Sequence, residues 1–237
     1  EGAGMDRGLY LAVSSMRSAE RRIDFTAHNL ANLNTAGFKR TQATHRSFLV
    51  NHPAGQNQTV GIRGRQDFSQ GNLQRTGHPF HLSLRGGGFF AVESPSGELY
   101  TRDGSFAVTA EGEWVNDQGW PVAWETRLGP LDPARGDPVV EPSGEVMQGN
   151  QRLGRLKLVD FEDYDRLEEL DRGLWRPRPG AREITSDAEV VQGSLEASNA
   201  SAIEEMVQLI ANQRAYEISS KVVETMDQSY QRLYRPN

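Results

Sequence analysis

His78-Pro79-Phe80-His81 sets two imidazoles three residues apart, the one close pair among His28, His45, His52, His78 and His81. Such a pair ligates zinc only when further ligands converge on it. A proline in the spacer weakens that reading, and ordinary surface or core histidines are the commoner use. Gly86-Gly87-Gly88 leads into Phe89-Phe90 and a strand. A loop that cradles phosphate opens a helix instead, so a tight turn is the better reading. Asp160, Glu162, Asp163 and Asp165 lack the spacing and turn glycine of an EF-hand loop and read as a solvated acidic loop. No Ser/His/Asp set is recognisable. These residues predict no catalytic site, no cofactor and no metal, hence a protein that is not an enzyme.

Trp114, Trp120, Trp124 and Trp175 carry a second possibility. Exposed and coplanar, they would form the stacking platform of an extracellular or periplasmic β-domain binding module. Buried, they are packing, which is the commoner use of tryptophan.

Composition narrows the classes further. The chain has 237 residues, 36% hydrophobic and 24% charged, enough for one large domain or two small ones with a core. A net charge of −6 argues against nucleic acid as a partner. No apolar run approaches the ~18–20 residues that span a bilayer, and the apolar face of the first helix is thin, so no direct membrane insertion is expected. Cysteine is absent, which removes disulfides and thiolate chemistry. Glu1 to Ala12 lack a basic segment followed by an apolar one, so no cleaved signal is read. Glu1 to Gly4, ahead of Met5, are set aside from the fold.

The elements that must position these residues follow from periodicity. Leu9, Ala12, Met16, Ala19, Ile23, Thr26, Leu30 and Leu33 alternate at spacings of three and four. That is the seam of a coiled-coil helix, weakened by two alanines and a threonine, and it needs a partner. The helix breaks at Asn34-Thr35-Ala36-Gly37, where Gly37 can supply a left-handed cap. Residues 41–75 are polar, without sustained period, and read as an extended connector with one or two short strands. Residues 76–193 read as all-β, with short apolar runs divided by Ser96-Gly97, Asp103-Gly104, Glu111-Gly112, Gln118-Gly119 and Ser143-Gly144. A small sandwich or barrel is expected. Ile203, Met206, Val207, Ile210, Ile218, Val222, Met226, Tyr230 and Leu233 stripe a second helix, with Ser201 and Glu204 at its start and Arg235-Pro236 at its end. The predicted fold is therefore α+β. Terminal helices (5–40 and 194–237) pair as a coiled-coil-like core domain, and the β domain is inserted between them. Stripe surface is left over for other copies to cover.

Three motifs are more specific. Asn29-Leu30-Ala31-Asn32-Leu33-Asn34-Thr35-Ala36-Gly37-Phe38-Lys39-Arg40 resembles the N-terminal signature of flagellar rod and hook proteins. Gly88 to Val92 followed by Tyr100-Thr101-Arg102-Asp103-Gly104-Ser105-Phe106 resembles the start of their β domain. Gly193-Ser194-Leu195-Glu196-Ala197-Ser198-Asn199, then Met206 to Ile210 and Gln213-Arg214-Ala215-Tyr216-Glu217, resembles their C-terminal signature. The motifs stand in the family's order. Met5 to Tyr10, Gly154 to Val159 and the short connector are closer to proximal-rod members than to distal-rod members, although Tyr100 to Phe106 is shared with the distal type.

The resemblance implies a building block of an axial helical tube that transmits torque. Its implied partners are other copies of itself, neighbouring proximal and distal rod proteins, and the flagellar type III export apparatus in transit. Its implied place is the basal-body rod within the periplasmic space. The residues expected to form the assembly interface are Leu9, Ala12, Met16, Ala19, Ile23, Asn29, Leu30, Asn32, Thr35, Gly37 and Phe38 from the first signature region. Leu195, Glu196, Ser198, Asn199, Met206, Ile210, Gln213, Arg214, Tyr216, Glu217, Val222 and Met226 come from the second. Asn29, Asn32 and Asn34 fit either a hydrogen-bonded junction between subunits or plain helix termination.

Overall fold

The computed structural model describes residues 2–52, 55–170 and 173–234. The side chains of Met5 to Tyr10, with Leu9 of the expected stripe among them, and of Tyr230 and Leu233, together with the whole of Arg235-Pro236, lie outside what it describes. The chain divides into two compact units. One comprises residues 1–31, 41–67 and 200–237, the other residues 32–40 and 68–199.

The first unit contains the two long helices and a hairpin. Helix α1 runs Gly2–Ala31, so Gly2 to Gly4, set aside at the start, belong to it. Its least exposed positions include Ala12, Ala19 and Thr26, at 8%, 1% and 4%. Met16, Ile23 and Leu30 between them are half-buried, so the expected seam is the shielded face. α1 stops at Ala31, six residues before Gly37, whose left-handed φ of 66° therefore serves the following loop and not a helix cap. Strands β1 (Thr41–His52) and β2 (Gly55–Gln66) pair antiparallel from Thr41 opposite Gln66 to His52 opposite Gly55. The expected extended connector is thus largely a hairpin. Its polar sequence gives no alternation to read, because the pairing rests on the backbone ladder and on contacts with α1. Arg21 Nη1 donates to the Ile62 carbonyl at 3.3 Å, and Phe25 packs at Gly64.

Helix α2 (Ala202–Tyr234) starts one residue after Ser201 and packs with α1. Its shielded face is Glu205, Leu209, Asn212, Tyr216, Ser219, Val223 and Met226, at alternating spacings of four and three. Asn212 Nδ2 donates to Thr26 Oγ1 of α1 at 3.4 Å. The apolar stripe lies elsewhere: Ile203, Val207, Ile210 and Ile218 are 77%, 62%, 51% and 67% exposed. No helix among the described residues is long and apolar enough to cross a membrane.

The second unit is β-rich, which with the helices makes the chain α+β. A six-stranded antiparallel sheet orders Leu167–Glu169, Leu174–Pro177, Gly97–Thr101, Phe89–Ser94, Leu158–Phe161 and Glu183–Thr185. A four-stranded sheet orders Val139–Val140, Glu145–Gln148, Gln151–Leu156 and Trp124–Arg127. The strand Phe89–Ser94 feeds two cores through its period of two. Phe90 and Val92 join Leu82, Leu84, Trp114, Val146 and Leu156, while Phe89 and Ala91 join Tyr100, Phe161 and Trp175. Each such fully buried large side chain contributes about 1.5–3 kcal/mol over an exposed one. Trp114 and Trp175 are buried, and Trp120 and Trp124 pack against the first core, so the four make no exposed stacking platform. Gly97, Gly112, Gly119 and Gly144 take the positive φ their turns require, but Gly104 does not. Gly104 is needed for close approach instead: a Cβ there would run into the Leu82 carbonyl.

The acidic stretch forms a short 3-10 turn, Tyr164–Arg166, capped by the Asp163 carboxylate, followed by the strand Leu167–Glu169. Asp171 lies outside the described residues.

Candidate functional site: the junction of the terminal motifs

The loop after α1 and the chain entering α2 converge inside the β-rich unit. Two short strand pairs bring them there. Ser194–Glu196 pairs with Leu73–Arg75, and Glu189–Gln192 pairs with Leu82–Arg85. The loop is fixed by local hydrogen bonds: Thr35 Oγ1 donates to Asn32 Oδ1 at 3.1 Å, and Phe38 N to the Thr35 carbonyl at 3.4 Å. It then meets the C-terminal motif directly. Gly37 N donates to the Glu196 carbonyl at 2.7 Å, and Asn199 N to the Phe38 carbonyl at 3.4 Å. Arg40 N donates to Asn199 Oδ1 at 2.7 Å, while Asn199 Nδ2 donates to the Ser69 carbonyl at 3.0 Å.

At the centre lies a buried ionic triad. Lys39 Nζ is 2.7 Å from Glu196 Oε1, and Arg102 Nη1 is 3.2 Å from Glu196 Oε2. Burying ions costs several kcal/mol each unless every lone pair and proton finds a partner. Most of the partners are present here, although the buried Arg102 Nε has none among the described residues. Gly71 N donates to Glu196 Oε1 at 2.9 Å, Lys39 Nζ to the Ser69 carbonyl at 2.8 Å, and Arg102 Nη2 to the Gly86 carbonyl at 2.7 Å. The Arg102 guanidinium also lies 5.5 Å from the Phe89 ring centroid, within cation–π range. Two glycines let the backbones close on it. A Cβ on Gly37 would strike the Arg102 backbone, and one on Gly71 would strike the Ala197 carbonyl.

The expected interface residues fall into three groups. Gly37, Phe38 and Glu196 are buried, and Asn32, Thr35, Leu195, Ser198 and Asn199 half-buried, all in the junction or the segments running into it. Ala12, Met16, Ala19, Ile23 and Leu30 lie on the shielded face of α1, with Tyr216 and Met226 on that of α2. Met206, Ile210, Gln213, Arg214, Glu217 and Val222 are exposed on α2. Asn29 stands apart. Both its amide atoms bond the backbone of Thr41, Nδ2 to the carbonyl and Oδ1 from N–H, each at 2.9 Å, so it clasps α1 to β1 within the chain.

Sequence reasoning passed over Lys39, Arg102, Ser69, Gly71 and Thr41. Lys39 and Arg102 stood inside recognised motifs, but a cation in a sequence gives no sign of burial. The junction is made of hydrogen bonds and ion pairs within the chain. What it does is fix two segments, distant in sequence, in one position. His78 and His81 lie with ring centroids 4.4 Å apart, and burial followed by the His78 charge lowers the His81 pKa.

Comparison with known proteins matches these same segments. Residues 9–39 match the family described as flagella basal body rod protein, and residues 83–149 the flagellar hook protein FlgE/F/G D1 domain. Residues 191–235 match the flagellar basal body rod FlgEFG protein C-terminal family. The flagellar basal-body rod protein FlgF of Caulobacter vibrioides is 34% identical over 229 residues, covering 93% of each chain. The chain belongs to the flagellar basal-body rod protein family. Further rod proteins are similar over most of their length. FlgF of Mesorhizobium japonicum is 32% identical over 219 residues, covering 90% of each chain. FlgG of Buchnera aphidicola subsp. Schizaphis graminum is 30% identical over 254 residues, covering 95% of this chain and 97% of its own. In this rod protein the first and last family matches contain the two segments that meet at Glu196, and the middle one contains Arg102.

Proposed function

We propose that this chain is a structural subunit of the proximal rod, of the FlgF type, polymerising helically through its terminal helices to transmit torque from motor to hook. The observation that carries the reading is the apolar stripe of α2. Ile203, Met206, Val207, Ile210, Ile218 and Val222 are 77%, 52%, 62%, 51%, 67% and 42% exposed, along one long helix. A subunit whose work is assembly has a use for such a stripe, because neighbouring copies remove it from water. Heterologous contacts that do not close into a ring build a filament.

In this reading the terminal segments 5–40 and 194–237, which carry α1 and α2, pair in coiled-coil fashion as the rod-axis domain. Residues 41–75 join it to an outer β domain of residues 76–193. The partners are further copies and the neighbouring rod proteins. The subunit reaches the periplasmic part of the rod through the type III export apparatus.

The FlgF type is favoured over FlgG by length. The FlgG alignment runs over 254 positions, more than the 237 residues of this chain, so it contains stretches this chain lacks. The FlgF alignment of 229 positions covers 93% of this chain and contains fewer such stretches. Electron cryomicroscopy of purified basal bodies tests both points. Density for this chain in the proximal rod, with both helices in the inner core, is the expected result. Density confined to the distal rod removes the subtype, and absence from the axial structure removes the function.

A further inference from the structure

The order in which the β-rich unit can close is written into its strand pairing. Leu82, Ser83 and Leu84 are fully buried at the heart of the larger core. Yet the strand Leu82–Arg85 has one sheet partner among the described residues, Glu189–Gln192, more than a hundred residues later. Leu73–Arg75 likewise pairs with Ser194–Glu196. Gln192 ties further loops together, donating from Nε2 to the Pro79 and Pro138 carbonyls at 2.7 and 2.8 Å. Ser83 and Ser194 share a buried hydroxyl contact of 2.7 Å.

The ionic triad sharpens this dependence. Lys39 and Arg102 are 1% and 3% exposed, and the carboxylate between them belongs to Glu196. Without residues 189–199, closing the rest of the unit would bury the Arg102 guanidinium without the Glu196 carboxylate and leave the core strand Leu82–Arg85 without its sheet partner. Either penalty is a large fraction of the whole stability of a domain. The complete triad contributes little net stability, whereas each incomplete form is expensive. That combination makes closure all-or-none.

We propose that residues 189–199 are a closing latch. The β-rich unit becomes stable only when this segment docks and Glu196 enters between Lys39 and Arg102. A chain delivered N-terminus first, as from a ribosome, therefore stays open until its C-terminal segment arrives. The latch is independent of the rod assignment, since it concerns folding of the single chain.

Pulsed hydrogen exchange during refolding of the full chain from urea tests it. Amide protection across Phe89–Ser94 is expected to appear with the same rate constant as protection across Val190–Glu196. Glu196→Gln is expected to slow both by about a hundredfold, since breaking a buried ion pair that is largely formed at the barrier has that effect. Protection of Phe89–Ser94 ahead of Val190–Glu196, or refolding unchanged by Glu196→Gln, would overturn the latch. If the variant does not refold, the order of protection in the unmodified chain still decides.

Discussion

Lys39 Nζ sits 2.7 Å from Glu196 Oε1 across 157 residues of chain, with side-chain exposures of 1% and 0%. Truncating one partner of such a pair leaves the other charge buried and unmatched. Glu196→Gln is therefore expected to destabilise the chain by roughly 3–5 kcal/mol, read from the midpoint of urea unfolding by tryptophan fluorescence. Glu189→Gln removes the partner of Arg85 in an exposed pair and is expected to stay within about 0.5 kcal/mol. Equal effects of the two would contradict the assignment of the triad as buried and shared.

Gly71→Ala places a methyl group against the Ala197 carbonyl, a backbone atom that cannot swing aside. A loss of more than about 2 kcal/mol is expected, because the junction must open to admit it. Gly77 has a positive φ of 73° but open space at its Cβ position. Gly77→Ala should cost no more than about 1–2 kcal/mol from backbone conformation alone. Thermal melts of the two variants side by side check the order.

Asn29→Ala removes both hydrogen bonds to Thr41 and leaves its N–H and carbonyl without those partners in a buried place. The expected cost is about 1–3 kcal/mol. It should appear as lost hydrogen-exchange protection at the Thr41 end of the β1–β2 hairpin, with protection across Phe89–Ser94 unchanged. Uniform loss across both units would show that Asn29 is not a local clasp.

Tyr164 donates from its hydroxyl to Asp160 Oδ1 at 2.6 Å. Burial first, and that hydrogen bond second, push its pKa up to about 12. Its folded pKa exceeds the unfolded value near 10, so the neutral phenol favours the folded state. This contribution is fully present below pH ~10 and is lost as pH rises from there through ~12. Absorbance at 295 nm should show phenolate appearing late, and Tyr164→Phe should remove part of that late step. Full phenolate formation by pH ~11 with the fold intact would contradict the burial of Tyr164.

How much of this was legible in the sequence depended on what held each element. The α1 seam was readable because Ala12, Ala19 and Thr26 recur where a helix repeats. The β1–β2 hairpin was not, since its strands are polar and a backbone ladder leaves no mark on side-chain pattern. α2 was read half correctly. Hydrophobic spacing picked out Ile203 to Val222, which is the exposed face. The shielded face includes Glu205, Asn212 and Ser219, so polar and small residues lie where apolarity was expected. The motifs located the junction, and Glu196 was expected at an assembly interface, but nothing in the sequence marked it, Lys39 and Arg102 as one buried ionic triad.

Under the proposed assembly, the free subunit and the rod differ most at α2. The chain contains no cysteine, so Ile210→Cys introduces a single thiol at a position 51% exposed. Maleimide labelling of that thiol, compared between the purified subunit and intact basal bodies, tests the assembly claim directly. Rapid labelling of the free subunit and strong protection in the basal body is the predicted result. Equal labelling in both would mean that neighbouring subunits do not cover the α2 stripe, and the proposed mode of assembly would be wrong.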